Sequence, residues 1–229
     1  MRFTSDLVTK IGGRLGNMVG MMNKAGMNLR SWVTPSNPNT VAQQGVRASL
    51  RTLALAWSAT LTQSQRDAWA VYAATLSFTS KIGVSYQISG FGAYVAANGA
   101  RMVAGLTRVD SAPVVGGFAS FTSVTPSFNV TAHTLSIAYT AADAWNGEVG
   151  GGLVIRLSPI GFKAGVTFYE GPFKYAGVAL GAVSPPASPK VITLASGVFA
   201  VGTQYAVAVR SVRADGRFSP EVIFRGLGV

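Results

Sequence analysis

Few residues of this 229-residue sequence could carry out catalysis or hold a metal ion. The chain has no cysteine, eight acidic side chains and a single histidine, His133. These counts exclude thiol nucleophiles, zinc fingers and multi-histidine metal sites, and a Ser-His-Asp arrangement could form only around His133. His133 lies in a polar stretch before a predicted strand, which favours a solvent-exposed turn residue over a general base. We therefore predict no enzymatic activity, no metal and no cofactor, with a hydrolase built on His133 as the weakest alternative.

One glycine motif is similar in spacing to a dinucleotide-binding fingerprint. Gly90 and Gly92 follow an apolar stretch and open a predicted helix, and Asp110 lies twenty residues after Gly90. The third glycine position holds Val95, whose bulk would keep a helix and a strand apart, and no parallel βαβ series surrounds the motif. We interpret the two glycines as residues that permit a tight turn and close packing.

The net charge of +11 is concentrated in the first half of the chain. Residues 1–108 carry +9, and the remainder carries +2. A basic segment can neutralise nucleic-acid phosphates or dock on an acidic protein surface. Because the charges are scattered singly and no nucleic-acid-binding motif is present, we favour protein docking and keep direct DNA contact as the alternative.

Composition also bears on where the protein resides. The apolar residues are interrupted by Gly, Ser, Thr and Gln, so no run reaches the roughly 18–20 residues of a membrane-spanning helix. The first ten residues include Asp6 and lack the apolar stretch of a secretory signal. Only 12% of residues are charged, which favours a surface that is partly covered by neighbouring subunits. The sequence therefore predicts no membrane association, and the absence of cysteine suits a reducing cytoplasm.

We predict an α+β fold in three parts: an extended N-terminal arm, a small helical region and an antiparallel β-sandwich of immunoglobulin or fibronectin type III kind. Residues 1–37 form the basic, Gly- and Met-rich arm, which lacks a sustained hydrophobic period and should not hold a shape by itself. It is either a disordered tail or a segment that orders on a partner. Residues 38–108 form the helical region, and residues 109–229 form the sandwich.

Three helices are predicted from capping residues and apolar stripes. Thr40, Thr62 and Ser89 stand where a hydroxyl can cap a helix, and Gln65 completes a capping box with Thr62. Residues 81–88 suggest a short strand or hairpin around Gly83. The stripes are Val46, Leu50, Leu53 and Trp57 in the first helix, Trp69, Tyr72 and Leu76 in the second, and Phe91, Tyr94, Val95, Asn98, Met102 and Leu106 in the third.

From about residue 110 the sequence predicts short strands separated by Gly, Pro and Ser. The predicted runs are Thr134–Thr140, Leu153–Leu157, Phe168–Tyr169, Val191–Leu194, Tyr205–Arg210 and Val222–Phe224. Asp215 and Gly216 supply a hairpin-turn signal before the last run. Several short strands of this kind favour a β-sandwich.

The segment from Gly202 to Pro220 has a distinctive order of residues. An alternating strand containing Tyr205 is followed by the Asp215-Gly216 turn and then by Ser219 and Pro220. This order resembles the penultimate strand of a fibronectin type III or related immunoglobulin-like module, with the turn and Ser-Pro that lead into the last strand. Tyr139 stands in place of the family's early-strand tryptophan. The resemblance implies a binding or spacing module, and such a fold by itself assigns no chemistry.

The helical region has a second pattern. Its residues are Asn37, Pro38, Asn39, Thr40, Gln43, Gln44, Val46, Arg47, Trp57, Leu61, Thr62, Gln65, Arg66, Ala68, Trp69, Tyr72, Ala73 and Asn98. The pattern resembles small structural proteins that are encoded in the virion gene clusters of tailed bacteriophages, commonly with an immunoglobulin-like domain behind. The resemblance implies a virion component, either a cement or decoration protein of the capsid or a piece of the neck or tail.

This resemblance implies a chain that is made in the host cytoplasm and resides in the virion. Its expected partners are the major capsid protein or other virion subunits, with homo-oligomeric contacts in the particle. We expect the arm and helices to dock on them. The candidate apolar anchors are Met18, Met21, Met22, Trp32, Trp57, Trp69 and Tyr72, and the candidate charges are Arg14, Arg30, Arg47 and Arg51. The alternatives are a head–tail connector, which would form a ring, and a surface carbohydrate-binding module based on the sandwich alone.

Overall fold

The computed structural model describes residues 2–3, 12–23, 26–34, 36–80, 83–195 and 197–229. Within these residues it has three α-helices and many antiparallel strands in several sheets, so the predicted α+β class is confirmed. By its internal contacts the chain divides into two compact units. Unit 1 comprises Met1–Val95 and Val114–Gly116, and unit 2 comprises Ala96–Pro113 and Gly117–Val229. The predicted division at residues 37 and 108 stays a prediction.

Unit 1 begins with a four-stranded antiparallel sheet. Its strands are β1 (Arg2–Phe3), β2 (Gly13–Leu15), β3 (Met18–Asn23) and β4 (Gly26–Ser31), in the order β1-β4-β3-β2. A two-residue turn joins β2 to β3, and its first residue, Gly16, has a φ of +56°, which glycine adopts without steric cost. The prediction of an extended arm is corrected here, because the described strands of this segment pair with one another in a sheet. Its residues show no hydrophobic period, so the sequence did not indicate the pairing.

The helical part of unit 1 follows the sheet. Its elements are α1 (Val41–Leu55), a π-helical turn (Ala56–Thr60), α2 (Gln63–Ala74), β5 (Phe78–Thr79), β6 (Ser85–Tyr86) and the start of α3 (Gly90–Val103). The Thr40 and Thr62 side chains accept from the backbone amides of Gln43 and Gln65. The side-chain oxygen of each glutamine in turn accepts from the backbone amide of the cap residue. The Ser89 hydroxyl accepts from the Gly92 amide at 3.1 Å. All three predicted caps are confirmed. β5 and β6 pair as a hairpin around Gly83, but its first strand lies before the predicted residues 81–88, of which 81 and 82 are outside the described residues.

The core of unit 1 is built from aromatic side chains. Trp69 is fully buried, and its ring packs edge-on against Tyr72 and Tyr94 at centroid distances of 5.8 and 5.5 Å. The predicted stripe of α2 is therefore a core face. The stripe of α1 divides, since Leu53 is buried whereas Val46 is 70% and Leu50 is 49% exposed.

Unit 2 has seven strands among the described residues, in two antiparallel sheets. They are β7 (Thr125–Asn129), β8 (Thr134–Ala138), β9 (Gly152–Leu157), β10 (Lys174–Leu180), β11 (Lys190–Thr193), β12 (Gln204–Val212) and β13 (Val222–Leu227). One sheet has the order β10-β9-β12-β13 and the other the order β11-β8-β7. Apolar side chains of both sheets form one buried core. Five of the six predicted runs coincide with strands.

The predicted strand at Phe168–Tyr169 is wrong. The Tyr169 ring stacks flat on Phe162 at 4.8 Å, and its hydroxyl donates to the Pro172 carbonyl at 2.7 Å, so aromatic packing fixes an irregular segment. The neighbouring strand β10 was missed. Its register against β9 shifts between Tyr175 and Gly177, and this irregularity interrupts the alternation that would reveal a strand in the sequence.

No helix among the described residues is long and apolar enough to cross a membrane.

Candidate protein-docking surface

The sheet of unit 1 presents two chemically different faces. Residues directly opposite each other in neighbouring antiparallel strands lie on the same side of a sheet, and successive residues alternate between sides. The register pairs Leu15 with Met18, Met22 with Met27, and Gly20 with Leu29. These positions therefore share one side, which we call the apolar face; its apolar side chains are Leu15, Met18, Met22, Met27 and Leu29.

The apolar face is exposed along β2 and β3 and covered along β4. Leu15 is 84% exposed, and Met18 and Met22 are exposed as well. Met27 is buried, and Leu29 is half-buried. Unbranched methionine side chains adapt to irregular partner surfaces, which suits a face that must fit another protein.

The opposite side of the sheet carries the positive charge, and we call it the basic face. Arg14 and Arg30 both lie opposite Val19 in the register, so they share this side with Met21. The Arg14 guanidinium lies 4.1 Å from the Trp32 ring centroid, and its Nε donates to the Gly16 carbonyl at 2.9 Å. These two contacts hold the charge of Arg14 in a fixed position above the sheet.

Helix α1 adds a second exposed apolar surface in unit 1. Val41, Val46 and Leu50 are exposed along its first three turns. Arg47 does not stand free beside them, because its guanidinium donates to the Asn37 side-chain oxygen at 2.7 Å and to that of Asn39 at 3.4 Å. Arg47 thus holds the segment that precedes the helix.

The structure separates the predicted site residues into groups. Met18 and Met22 share the apolar face, whereas Met21, Arg14 and Arg30 share the basic face together with Trp32. Arg47 and Arg51 lie on α1, where both are exposed.

Three predicted aromatic anchors occupy the helical core instead of a free surface. Trp69 and Tyr72 are buried, so their predicted contact with a partner is wrong. The period of α2 places both on its core face, where Trp69 packs against Tyr94 of α3. Trp57 is half-buried against Phe91 and Tyr94, at centroid distances of 5.5 and 5.4 Å. Sequence reasoning missed Leu15, although it flanks the Gly16-Asn17 turn as the end of a hairpin strand would.

The residues considered for chemistry occupy structural positions. His133 lies in the turn between β7 and β8, as predicted, with a φ of +51°; its ring is half-buried rather than exposed. An added Cβ at Gly90 would lie 2.8 Å from the Ala70 amide nitrogen, so this glycine allows α3 to approach α2 closely, as predicted. No group of three or more His, Cys, Asp or Glu side chains that could hold a metal ion occurs in the described part of the chain.

The sequence matches no protein-family model, and no curated protein matches it.

Proposed function

We propose that this chain is a structural protein of a tailed-bacteriophage virion, a cement or decoration protein that docks on the assembled capsid through unit 1. The observation that carries the proposal is the two-faced sheet of β2, β3 and β4, with Leu and Met side chains exposed on one face and fixed arginine charge on the other. The resemblance of the helical region to virion proteins supplies the class of partner.

The apolar face has the energetic capacity for docking. Burying a Leu or Met side chain fully contributes about 1.5–3 kcal/mol. Leu15, Met18 and Met22 together would therefore contribute several kilocalories per mole in a single contact. The arginines of the basic face and the net charge of +11 favour a partner with an acidic surface and accelerate the encounter with it.

Docking of this kind stabilises a shell by mass action. A protein that binds the assembled lattice and not its free subunits shifts the equilibrium towards the assembled state. Repetition of the same contact over a symmetric particle adds many modest single-site stabilisations of the shell. The expected effect is greater resistance of the particle to heat and to internal pressure.

We infer that unit 2 is a fibronectin type III-like sandwich. The pairing of its first, second and fifth strands in one sheet, and of the other four in the second sheet, supports this class. The Tyr205 hydroxyl accepts from the Ala200 amide at 2.8 Å, five residues upstream. This arrangement at the start of the penultimate strand has the form of a tyrosine corner. In the virion, such a module would face outward or join neighbouring copies.

The test is co-sedimentation of the purified full-length chain with phage particles that were assembled without it. We expect saturable binding that falls at least about tenfold when Leu15→Ser and Met22→Ser are combined, because each removes an exposed apolar contact. Val183→Ser is the matched control, since Val183 in unit 2 is also 84% exposed. Failure of the unaltered chain to bind, or equal loss in the control, would refute the proposal.

Substitutions in helix α1 offer a second test, because they should reduce particle binding without changing the stability of the chain. Val46→Gln combined with Leu50→Gln removes two exposed apolar side chains but retains good helix formers. We expect reduced particle binding with an unchanged thermal unfolding temperature.

Cryo-electron microscopy of the reconstituted particle then gives the arrangement of the copies. Coverage of the shell supports a decoration protein, and a single ring at one vertex identifies a connector instead.

A further inference from the structure

Unit 2 contains a cavity of about 180 Å³ on the side of the four-stranded sheet that faces away from its core. Val207 and Val209 of β12 belong to the core, so Arg210 lies on the opposite side by strand alternation. The end of α3 forms the apolar wall of the cavity through Gly99, Ala100 and Val103. Cavities of about 150 Å³ can hold a benzene-sized ligand, so this one has room for several heavy atoms.

The polar wall of the cavity carries an excess of positive charge. It consists of Arg156, Arg210 and Glu221, which together carry one net positive charge. Glu221 is already engaged, because Nε of Arg156 donates to its Oε1 at 2.7 Å and the Arg156 Nη2 contacts the same oxygen. Because the Glu221 carboxylate already pairs with Arg156, it neutralises the charge of the Arg210 guanidinium only in part.

Arg210 is the less fully compensated of the two cations. Its Nε is buried and has no hydrogen-bond partner among the described residues. Burial lowers the pKa of the Arg210 guanidinium, and Glu221 counters part of this effect by raising it. Its guanidinium carbon lies 5.6 Å from the Phe218 ring centroid. The Arg210 side chain is half-buried and lines the cavity, so an anion that enters can neutralise its charge.

We propose that this cavity binds a small monocarboxylate, with Arg210 as its anchor and the apolar end of α3 against its alkyl part. The charge count selects a monoanion: one carboxylate neutralises the site, whereas a phosphate dianion would leave excess negative charge beside Glu221. The planar guanidinium fork also matches a carboxylate geometrically. This site is independent of the docking surface in unit 1.

The first experiment is an NMR titration of the ¹⁵N-labelled full chain with propionate, observed at the arginine Nε–Hε signals. We expect a saturable shift of the Arg210 signal, with weaker binding of inorganic phosphate and of chloride. Gly99→Leu should abolish the shift, because an added Cβ there meets no atom within 4 Å and the side chain would fill the cavity. Gly45→Leu in α1 is the matched control, since a Cβ at Gly45 also meets no atom within 4 Å.

The second experiment changes the charge and leaves the volume unchanged. Glu221→Gln raises the net charge of the site by one, so we expect propionate to bind at least about fivefold more tightly. The proposal is overturned if the unaltered chain shows no saturable shift, if Gly99→Leu and Gly45→Leu behave alike, or if Glu221→Gln leaves the affinity unchanged. Equal affinity for chloride would also overturn it, because a carboxylate site requires the planar anion.

Discussion

The guanidinium of Arg14 and the indole of Trp32 make contact across the width of a strand. Arg14 belongs to β2 and Trp32 follows β4, and β3 lies between these two strands. The ring centroid is 4.1 Å from the guanidinium carbon, and the Trp32 amide donates to the Asn17 carbonyl at 2.7 Å. The contact thus joins the first and last strands of the β2–β3–β4 meander, in a segment with little buried apolar surface.

Removal of this contact should loosen the meander locally. A cation–π interaction at an exposed site contributes about 0.5–1 kcal/mol. We therefore expect Arg14→Gln to accelerate hydrogen exchange of the Trp32 amide about two- to fivefold. Arg30→Gln, on the same face, should leave that amide unchanged. Equal acceleration in the two variants would show that charge in general, and not the ring contact, stabilises the meander.

Two glycines of α3 should respond to alanine in opposite ways. A Cβ at Gly90 would lie 2.8 Å from the Ala70 nitrogen, which is backbone and cannot move without shifting α2. Gly90→Ala should therefore destabilise unit 1 by about 1–3 kcal/mol. Gly99→Ala meets no neighbour within 4 Å and should stabilise the helix by up to about 1 kcal/mol. Thermal unfolding followed by circular dichroism checks both signs, and a stabilised Gly90→Ala would contradict the close packing of α2 and α3.

Local chemistry made much of this fold predictable from the sequence. The helix starts at Thr40, Thr62 and Ser89 depend on side chains within three residues, so their pattern is visible without tertiary information. The same holds for the strand that contains Leu153, Ile155 and Leu157, whose side chains enter a continuous core.

The remainder depends on contacts that are distant in sequence. β3 and β4 pair within a Gly- and Met-rich segment, and only the register of this pairing decides which side chains share a face. A shift of one residue would place side chains of the apolar and basic faces on the same side. Trp145 was missed as a core residue, although it is fully buried beside Tyr139 at a centroid distance of 5.0 Å. It lies outside any strand, so no hydrophobic period includes it. The sequence predicted which residues could dock on a partner. Their division between the apolar face and the basic face follows from the strand register alone.

Arg101 should be one of the most sensitive positions in unit 2. It is buried, and its guanidinium donates to the carbonyls of Thr107, Gly150 and Arg213 at 2.9, 2.8 and 2.5 Å. Burial lowers the pKa of Arg101, with Glu148 and Asp215 acting to raise it. Arg101→Met leaves three carbonyls without this donor, and we expect a loss of about 3 kcal/mol or more.

Hydrogen exchange of the β12 amides measures this loss, because that central strand opens only when unit 2 unfolds. Arg51→Met, on the exposed surface of α1, should change the stability by no more than about 0.5 kcal/mol. A similarly small effect of Arg101→Met would mean that the three carbonyls find other donors.

Tyr139 should make unit 2 sensitive to alkaline pH. Its ring is buried against Trp145, and its hydroxyl donates to the Ala187 carbonyl at 3.1 Å. Burial raises the pKa of this hydroxyl above its ordinary value near 10, because the tyrosinate would lose its hydration. The unfolded chain therefore loses this proton at a lower pH than the folded chain does.

The sign of the pH effect follows from this difference. The contribution of Tyr139 is fully present below about pH 10 and is lost as the pH rises towards the folded pKa, since the unfolded state then binds fewer protons. Urea unfolding at about pH 9 and about pH 11 should show a smaller decrease for Tyr139→Phe than for the unaltered protein, although the variant loses about 1 kcal/mol at both values with its hydrogen bond. Tyr175→Phe, at an exposed tyrosine of β10, should retain the full decrease. Identical pH dependence in the two variants would assign the alkaline instability to groups other than Tyr139, because burial couples the ionisation of its hydroxyl to unfolding.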